Sequence, residues 1–343
     1  MLKSAIAGCG GIASVHARVL GEMNNAGWSC RSGTARPSIP TLASCCDEKP
    51  GRAVSFAEKH GCTPYASLKE LIDADKPDVL HICAPHYAHA PLAIYAMRRG
   101  VHVLCEKPVA ASLPELTALE NAASGSNAQL GVCFQNRFNP SVVYVKGMLE
   151  SGETGRITAA RAILTWSRGA EYFSGSDWRG AKNTEGTSVL LNQAIHTVDL
   201  FLHLLGEPER VAGSVSNRGH GGIISTEDTA EAALYYGGGL KALLYASICH
   251  GRDSNLIVEI NCENMSFCME GDRLRVTSPD GSELPAPDLE ALSPLGKPYW
   301  GGGHRGLING FYECLQSGER FPIDVIEGGK AVKTVFEIIA ASS

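Results

Sequence analysis

Apolar runs and amphipathic stretches alternate along the first third of the chain. Residues 4–8, 41–46, 79–84, 101–105 and 129–134 read as short strands. Between them, residues 12–23, 53–60, 91–99 and 113–123 carry apolar positions at helical spacing. This alternation predicts a parallel sheet wrapped by helices. Beyond about residue 135 the period changes to longer alternating runs at 157–166, 210–216, 230–236, 240–249, 257–262, 265–269 and 273–276, which predict a largely antiparallel sheet. Gly237-Gly238-Gly239 between two of those runs is a hairpin signal. One strongly apolar helix is expected over residues 188–205, stopped by Gly206 and Pro208, and another follows Glu327. The fold class is therefore α/β, with an N-terminal doubly wound domain and a C-terminal α+β domain on an open sheet.

Length agrees with this division, since 343 residues at ~150 per domain make about two domains. We place them at residues 1–134 and 135–343, with a cleft between. A composition of 44% hydrophobic and 19% charged residues excludes disorder. The net charge of −6, without a long basic run, argues against nucleic acid or a membrane as partner and for a small molecule. Residues 79–97 lack Asp, Glu, Lys and Arg, but His81, His86, His89, Pro85 and Pro91 interrupt them, so they read as a strand and a helix start rather than a bilayer span. The first residues lack the apolar core of an export signal, so a cytoplasmic location is expected. Twelve cysteines show no C-x-x-C pair and no Cys/His zinc spacing, which predicts reduced core fillers and no metal.

Gly8-Cys9-Gly10-Gly11-Ile12-Ala13 lies between the first strand and the first helix, the G-x-G-x-x-A arrangement of a dinucleotide loop. Gly8 permits the turn, Gly10 lets backbone approach a pyrophosphate, Gly11 and Ile12 open the helix, and small Ala13 allows close helix–sheet packing. Asp47 ends the second strand, where a carboxylate accepts hydrogen bonds from a ribose hydroxyl. It stands 34 positions beyond Ala13, a long spacing that an insertion over residues 24–40 explains. An acid there repels a 2′-phosphate, so NAD is the expected cofactor and NADP the alternative.

His102-Val103-Leu104-Cys105-Glu106-Lys107-Pro108 closes a further strand. With the glycine loop, with Pro85 and His89, Asp177-Trp178-Arg179, His196-Thr197-Val198-Asp199 and Glu327-Gly328-Gly329-Lys330-Ala331, it resembles the glucose–fructose oxidoreductase/inositol dehydrogenase (Gfo/Idh/MocA) family over nearly the whole chain. The resemblance implies an N-terminal Rossmann domain and an NAD(P)-dependent enzyme acting on a secondary hydroxyl of a sugar, inositol or related polyol, as a homodimer or homotetramer. It implies cofactor contacts from Pro85, His89, Glu106, Lys107, Trp178 and Arg179. For the last two, an exposed loop aromatic and a surface charge remain the other reading.

Lys107 follows a parallel strand at its carboxyl end, where open α/β sheets bind ligands. To take a hydroxyl proton it must be neutral, so its reference pKa of about 10.4 must fall by roughly 3, on the order of 4 kcal/mol. On the residues alone a solvated loop lysine is the plainer reading; the resemblance makes Lys107 the catalytic base. Asn192, His196, Asp199 and His203 form a polar stripe on the 188–205 helix, by itself most simply a solvated face. The resemblance makes His196 the second catalytic residue, beside the reacting hydroxyl, and leaves Asp199 either orienting it or structural. Many members carry aspartate where this chain has Asn192, and an amide can hold a hydroxyl but cannot take its proton. Lys107, Asn192, His196 and, from the Gly301-Gly302-Gly303-His304 segment, His304 are the candidate substrate contacts. Two rival functions share this outline. One is a glycosidase or lyase that oxidises its sugar transiently and retains NAD; the other is a nucleotide-binding regulator without turnover, against which both Lys107 and His196 argue.

Overall fold

A computed structural model describes residues 1–25, 39–271, 273–286, 289, 293, 295 and 302–342. In chain order the elements are β1 (Leu2–Ala7), α1 (Gly11–Asn25), β2 (Pro40–Cys46), α2 (Pro50–His60), β3 (Thr63–Tyr65), α3 (Leu68–Asp75), β4 (Val79–Ile82), α4 (His86–Met97), β5 (His102–Glu106), α5 (Leu113–Ser124) and β6 (Leu130–Cys133). They continue as α6 (Pro140–Ser151), β7 (Ile157–Thr165), α7 (Ala170–Ser174), a π-helical segment Ser188–Ala194, α8 (Ile195–Leu205), β8 (Arg210–Ser216), β9 (Thr229–Tyr235), β10 (Lys241–Ser247), β11 (Ile257–Cys262), β12 (Ser266–Glu270), β13 (Arg273–Thr277), β14 (Glu283–Leu284), α9 (His304–Ser317) and α10 (Val325–Ala340).

Two compact units form. The first takes the described parts of Met1–Gln135 together with His304–Gly329; the second takes those of Asn136–Pro294 together with Lys330–Ser343. The stretch 304–329, expected in the second domain, thus packs with the first. The physical reason is visible on β6, where Gly131 leaves room for two phenyl rings. A Cβ there would lie 2.8 Å from both Phe311 and Phe321, whose rings meet edge to face at 5.3 Å.

The first unit holds a six-stranded sheet in the order β3-β2-β1-β4-β5-β6, every pairing parallel. Its central strands are buried along their length, as expected where helices cover both faces. The β3 strand and α3 helix are additions to the sequence reading. Ser67 caps α3 by accepting the Glu70 N–H at 3.2 Å, and this Ser-x-x-Glu box was the available signal. Helix α4 begins at His86, earlier than expected, because Pro91 is tolerated inside it and costs only one backbone bond near the start.

The second unit is built on an eight-stranded sheet ordered β14-β13-β12-β11-β7-β10-β9-β8. All its pairings are antiparallel except β7 with β10. The expected hairpin pairs Tyr235 with Lys241 around Gly238 and Gly239, at φ +70° and +83°. The long apolar helix 188–205 is not a single α-helix: its first seven residues are π-helical. Although long and apolar enough by composition to cross a membrane, this segment is mostly buried within its own unit.

Gly8 adopts φ +91°, and an added Cβ would stand 2.6 Å from the Ala84 backbone nitrogen. Gly8→Ala should therefore lower the unfolding free energy by about 2 kcal/mol or more, read as a reduced urea midpoint of the purified protein.

Candidate active site

The carboxyl ends of β1, β2, β4 and β5 gather most of the expected residues of the first unit. Gly8 follows β1 and donates its N–H to the Cys46 carbonyl at 2.8 Å, tying the loop to the end of β2. Gly10 is exposed, and a Cβ on it would meet no atom within 4 Å, which leaves its backbone open to a bulky anion. Gly11 opens α1, Ile12 is half-buried, and Ala13 is wholly buried in a cluster with Ile6, Cys45 and Ala53. Asp47 faces this loop: its Oδ2 accepts the Cys9 N–H and its Oδ1 the Lys49 N–H, each at 2.8 Å. Those donors fix the carboxylate and leave lone pairs for a ribose hydroxyl. An open Gly10 cradle at a helix N-terminus and an anchored acid fit a dinucleotide. The insertion proposed over 24–40 falls mostly outside the described residues.

Pro85 precedes α4. His89, one turn in, is buried with Nδ1 2.6 Å from the Pro108 carbonyl and Nε2 2.7 Å from the Ala84 carbonyl. It joins the loop after β4 to the loop after β5. Burial pulls its pKa down against those two carbonyls. Lys107 is half-buried directly after β5, and its backbone N–H reaches Glu106 Oε2 at 3.3 Å. The Lys107–Pro108 peptide is cis.

Glu106 turns its carboxylate inward. Oε1 meets His16 Nε2 at 3.1 Å and His304 Nε2 at 3.7 Å. His16 Nδ1 lies 2.7 Å from His81 Nδ1, His81 Nε2 2.8 Å from the Tyr312 hydroxyl, and that hydroxyl 2.5 Å from Ser4 Oγ. His16, His81, Tyr312 and Ser4 are all 0% exposed. Burial pushes the Glu106 carboxyl up, but His16 and His304 hold it well below the ordinary range. His304, expected on a glycine-rich loop entering the substrate pocket, instead opens α9 and is 1% exposed beside Glu106. Gly301 lies outside the described residues.

The second unit carries the other expected residues. Asn192 Nδ2 donates to Glu185 Oε1 at 2.5 Å, and Glu185 Oε2 accepts the Gly180 N–H at 2.6 Å and the Ser188 hydroxyl at 2.5 Å. Burial raises the Glu185 carboxyl against those donors. Gln193 donates to the Tyr172 hydroxyl at 2.9 Å and accepts from Arg168 at 3.3 Å. The Arg179 guanidinium stacks on Tyr172 at 4.3 Å and near Trp178 at 5.1 Å. His196 is half-buried as the second residue of α8. The polar stripe does not form one solvated face, because Asp199 is buried and pairs bidentately with Arg137 at 2.6 and 2.9 Å.

Residues 2–134 match the family described as "Oxidoreductase family, NAD-binding Rossmann fold", and residues 142–268 match the "GFO/IDH/MocA C-terminal domain". The chain belongs to the Gfo/Idh/MocA oxidoreductase family. Among its Gfo/Idh/MocA relatives, levoglucosan dehydrogenase of Pseudarthrobacter phenanthrenivorans is 27% identical over 260 residues, 69% of this chain and 67% of that protein. Glucose-6-phosphate 3-dehydrogenase of Bacillus subtilis is 28% identical over 66% of this chain and 60% of its own length. The crystal structure of the WlbA dehydrogenase from Bordetella pertussis, in complex with NADH and UDP-GlcNAcA, superposes with a TM-score of 0.84 at 23% identity, over 99% of this chain and 96% of that one.

For this Gfo/Idh/MocA protein the sequence reading passed over His16, Tyr312, Tyr172, Gln193 and Glu185, and took His81 only as a break in an apolar run. A polar residue inside an otherwise apolar buried run, as in Val79-Leu80-His81-Ile82, was the signal for the first group. Two side-chain clusters with metal-ligand chemistry also assemble from distant positions, His16–Glu106–Cys133 and His220–Asp228–Cys249. In the second, burial pulls the Asp228 carboxyl up, but the Arg218 and Gly219 N–H groups and His220 hold it low. Its His220 ring bridges Asp228 Oδ2 at 3.0 Å and the Arg168 carbonyl at 2.6 Å, which staples the loop ahead of β9. Of the twelve cysteines, the eleven described are free thiols, several of them buried as expected but Cys249 exposed; Cys30 lies outside the described residues.

Glu227 caps the π-helical segment by accepting the Leu190 N–H at 3.0 Å, and burial raises its carboxyl to about 7. A raised acid binds its proton more tightly in the folded state, so its stabilisation is full below pH 4.5 and is lost as pH rises through 7. Glu227→Gln should flatten the fall in unfolding free energy across that window and leave the variant more stable than wild type above it, by on the order of 3 kcal/mol in urea titrations at several pH values.

Proposed function

We propose that this protein transfers a hydride between a nicotinamide cofactor and a secondary hydroxyl or ketone of a sugar, inositol or related polyol. The observation carrying the reading is the gathering of the open Gly10 cradle, the anchored Asp47 carboxylate and Lys107 at one carboxyl edge of the first sheet. Relatives named levoglucosan dehydrogenase and glucose-6-phosphate 3-dehydrogenase support the carbohydrate class. When bound, NAD supplies the hydride acceptor. The loop of Gly8, Gly10, Gly11 and Ile12, with Ala13 packed beneath it, holds its pyrophosphate and Asp47 its ribose, while Pro85, His89 and Glu106 shape the edge behind it. Trp178 and Arg179 are assigned to the cofactor from the second unit. Lys107 takes the proton of the substrate hydroxyl as the carbon loses hydride, and His196 hydrogen-bonds the same oxygen. Asn192, held by Glu185, binds a neighbouring hydroxyl without taking its proton. His304 acts through Glu106 in this reading rather than by touching the sugar. We assign a homodimer or homotetramer, as the family resemblance implies, and a cytoplasmic location, on the described cysteines all being free thiols.

A panel of sugars, inositols and sugar acids, assayed with NAD and NADP separately for appearance of the reduced cofactor, tests the reaction. One substrate class should stand out with NAD. Product formed without net reduced cofactor would replace the reading with redox-assisted bond cleavage. Lys107→Ala should lower kcat by about 10²- to 10⁴-fold while NADH binding persists; near-normal turnover would overturn the assignment of the base. Asp47→Asn removes the charge that repels a 2′-phosphate, so the ratio of kcat/KM with NAD to that with NADP should fall several-fold.

A further inference from the structure

Glu106 immediately precedes Lys107 and terminates a buried chain of side chains for which hydride transfer, as described above, has no use. The chain runs from Ser4 on β1 through Tyr312 on α9, His81 on β4 and His16 on α1 to Glu106 on β5. Its proton arrangement follows from what each atom can do. A carboxylate only accepts, so His16 donates through Nε2. A neutral imidazole then offers Nδ1 as an acceptor, which requires His81 to donate through its own Nδ1. His81 Nε2 in turn accepts the Tyr312 hydroxyl, whose oxygen accepts the Ser4 hydroxyl. Every donor thus points toward Glu106, and hydrogen bonds aligned in a low-dielectric interior reinforce one another. With His16 in that neutral tautomer the chain carries one net charge, and it sits on Glu106.

The other buried histidines and the thiols near Glu106 add no charge of their own. His81 and His304 are driven toward the neutral form by burial. Cys83, Cys105 and Cys133 are kept protonated by the same burial. The Cys133 thiol and the backbone N–H of Lys107, the latter at 3.3 Å, also donate to Glu106. Reversing the chain would need an imidazolium at His16.

We propose that the Ser4–Tyr312–His81–His16 chain holds Glu106 as a permanent anion that makes the site favour the oxidised, positively charged nicotinamide over the reduced, neutral one. This rests on the reading that a nicotinamide binds beside Lys107. Glu106 is here a selector of cofactor redox state, and the three residues behind it are positioning residues. A buried charge acting on a nearby cation, in an effective dielectric of about 20, is enough to separate the two affinities by about tenfold or more.

The test is the ratio of dissociation constants for NAD⁺ and NADH, from NADH fluorescence titration and displacement by NAD⁺. In Glu106→Gln, which keeps shape and removes charge, the NAD⁺-to-NADH ratio should rise at least about fivefold, through weaker NAD⁺ binding. Tyr312→Phe deletes one aligned donor and should move the ratio the same way by less. An unchanged ratio in Glu106→Gln, or equal weakening for both nucleotides, overturns the proposal, since a purely structural role would not distinguish them. Imidazole ¹⁵N spectra of histidine-labelled wild-type protein supply a readout without substitution. They should show His16 protonated at Nε2 and His81 at Nδ1, and a doubly protonated His16 would overturn the proposal. Wild-type protein that binds neither nucleotide would instead bring down the nicotinamide reading underneath.

Discussion

The contact on which the rest of the first unit depends is that of the Gly8 backbone against Ala84. No side chain fits between the loops after β1 and β4, and the φ of +91° at Gly8 is one that a side chain resists. That approach aims the start of α1 across the sheet edge and brings the Cys9 N–H to Asp47. It also sets the loop after β4 where His89 can join it to Pro108 and hence to Lys107. The residues proposed to cradle the phosphates, to accept the ribose and to act as the base thus share a frame made of backbone.

Beneath that edge the interior is polar where a parallel sheet is ordinarily dry. Ser4, Tyr312, His81, His16 and Glu106 each have a hydrogen-bonding neighbour, so their desolvation is offset. The second unit solves a similar problem differently. Its π-helical segment carries Asn192 against the buried carboxylate of Glu185, and Thr187 and Glu227 satisfy N–H groups at the start of that segment. In both units the residue assigned to a ligand is held by an acid that solvent does not reach.

Much of this was legible in the sequence because it is local. The period of apolar positions placed every parallel strand but the short β3 and most of the antiparallel ones, the glycine loop announced its turn, and Gly237 to Gly239 gave the hairpin away. What was not legible depends on contacts distant in the chain. Asp199 read as part of a solvated stripe until Arg137, far upstream, was brought to it. His16, His81 and Tyr312 meet only because α9 returns to the first unit, and no spacing rule connects positions so far apart. The π-helical start of the 188–205 segment escaped because its apolar pattern suits either helix.

The return of α9 also bears on how the molecule is made. Strand β6 presents bare Gly131 to the space that Phe311 and Phe321 fill, and Tyr312 completes the polar chain from outside the first 135 residues. A ribosome that has released only those residues has therefore released an unfinished sheet with an apolar trough along it. The second unit's strands leave the exit tunnel in between, so nascent chains must shield that trough until nearly the whole polypeptide has been translated.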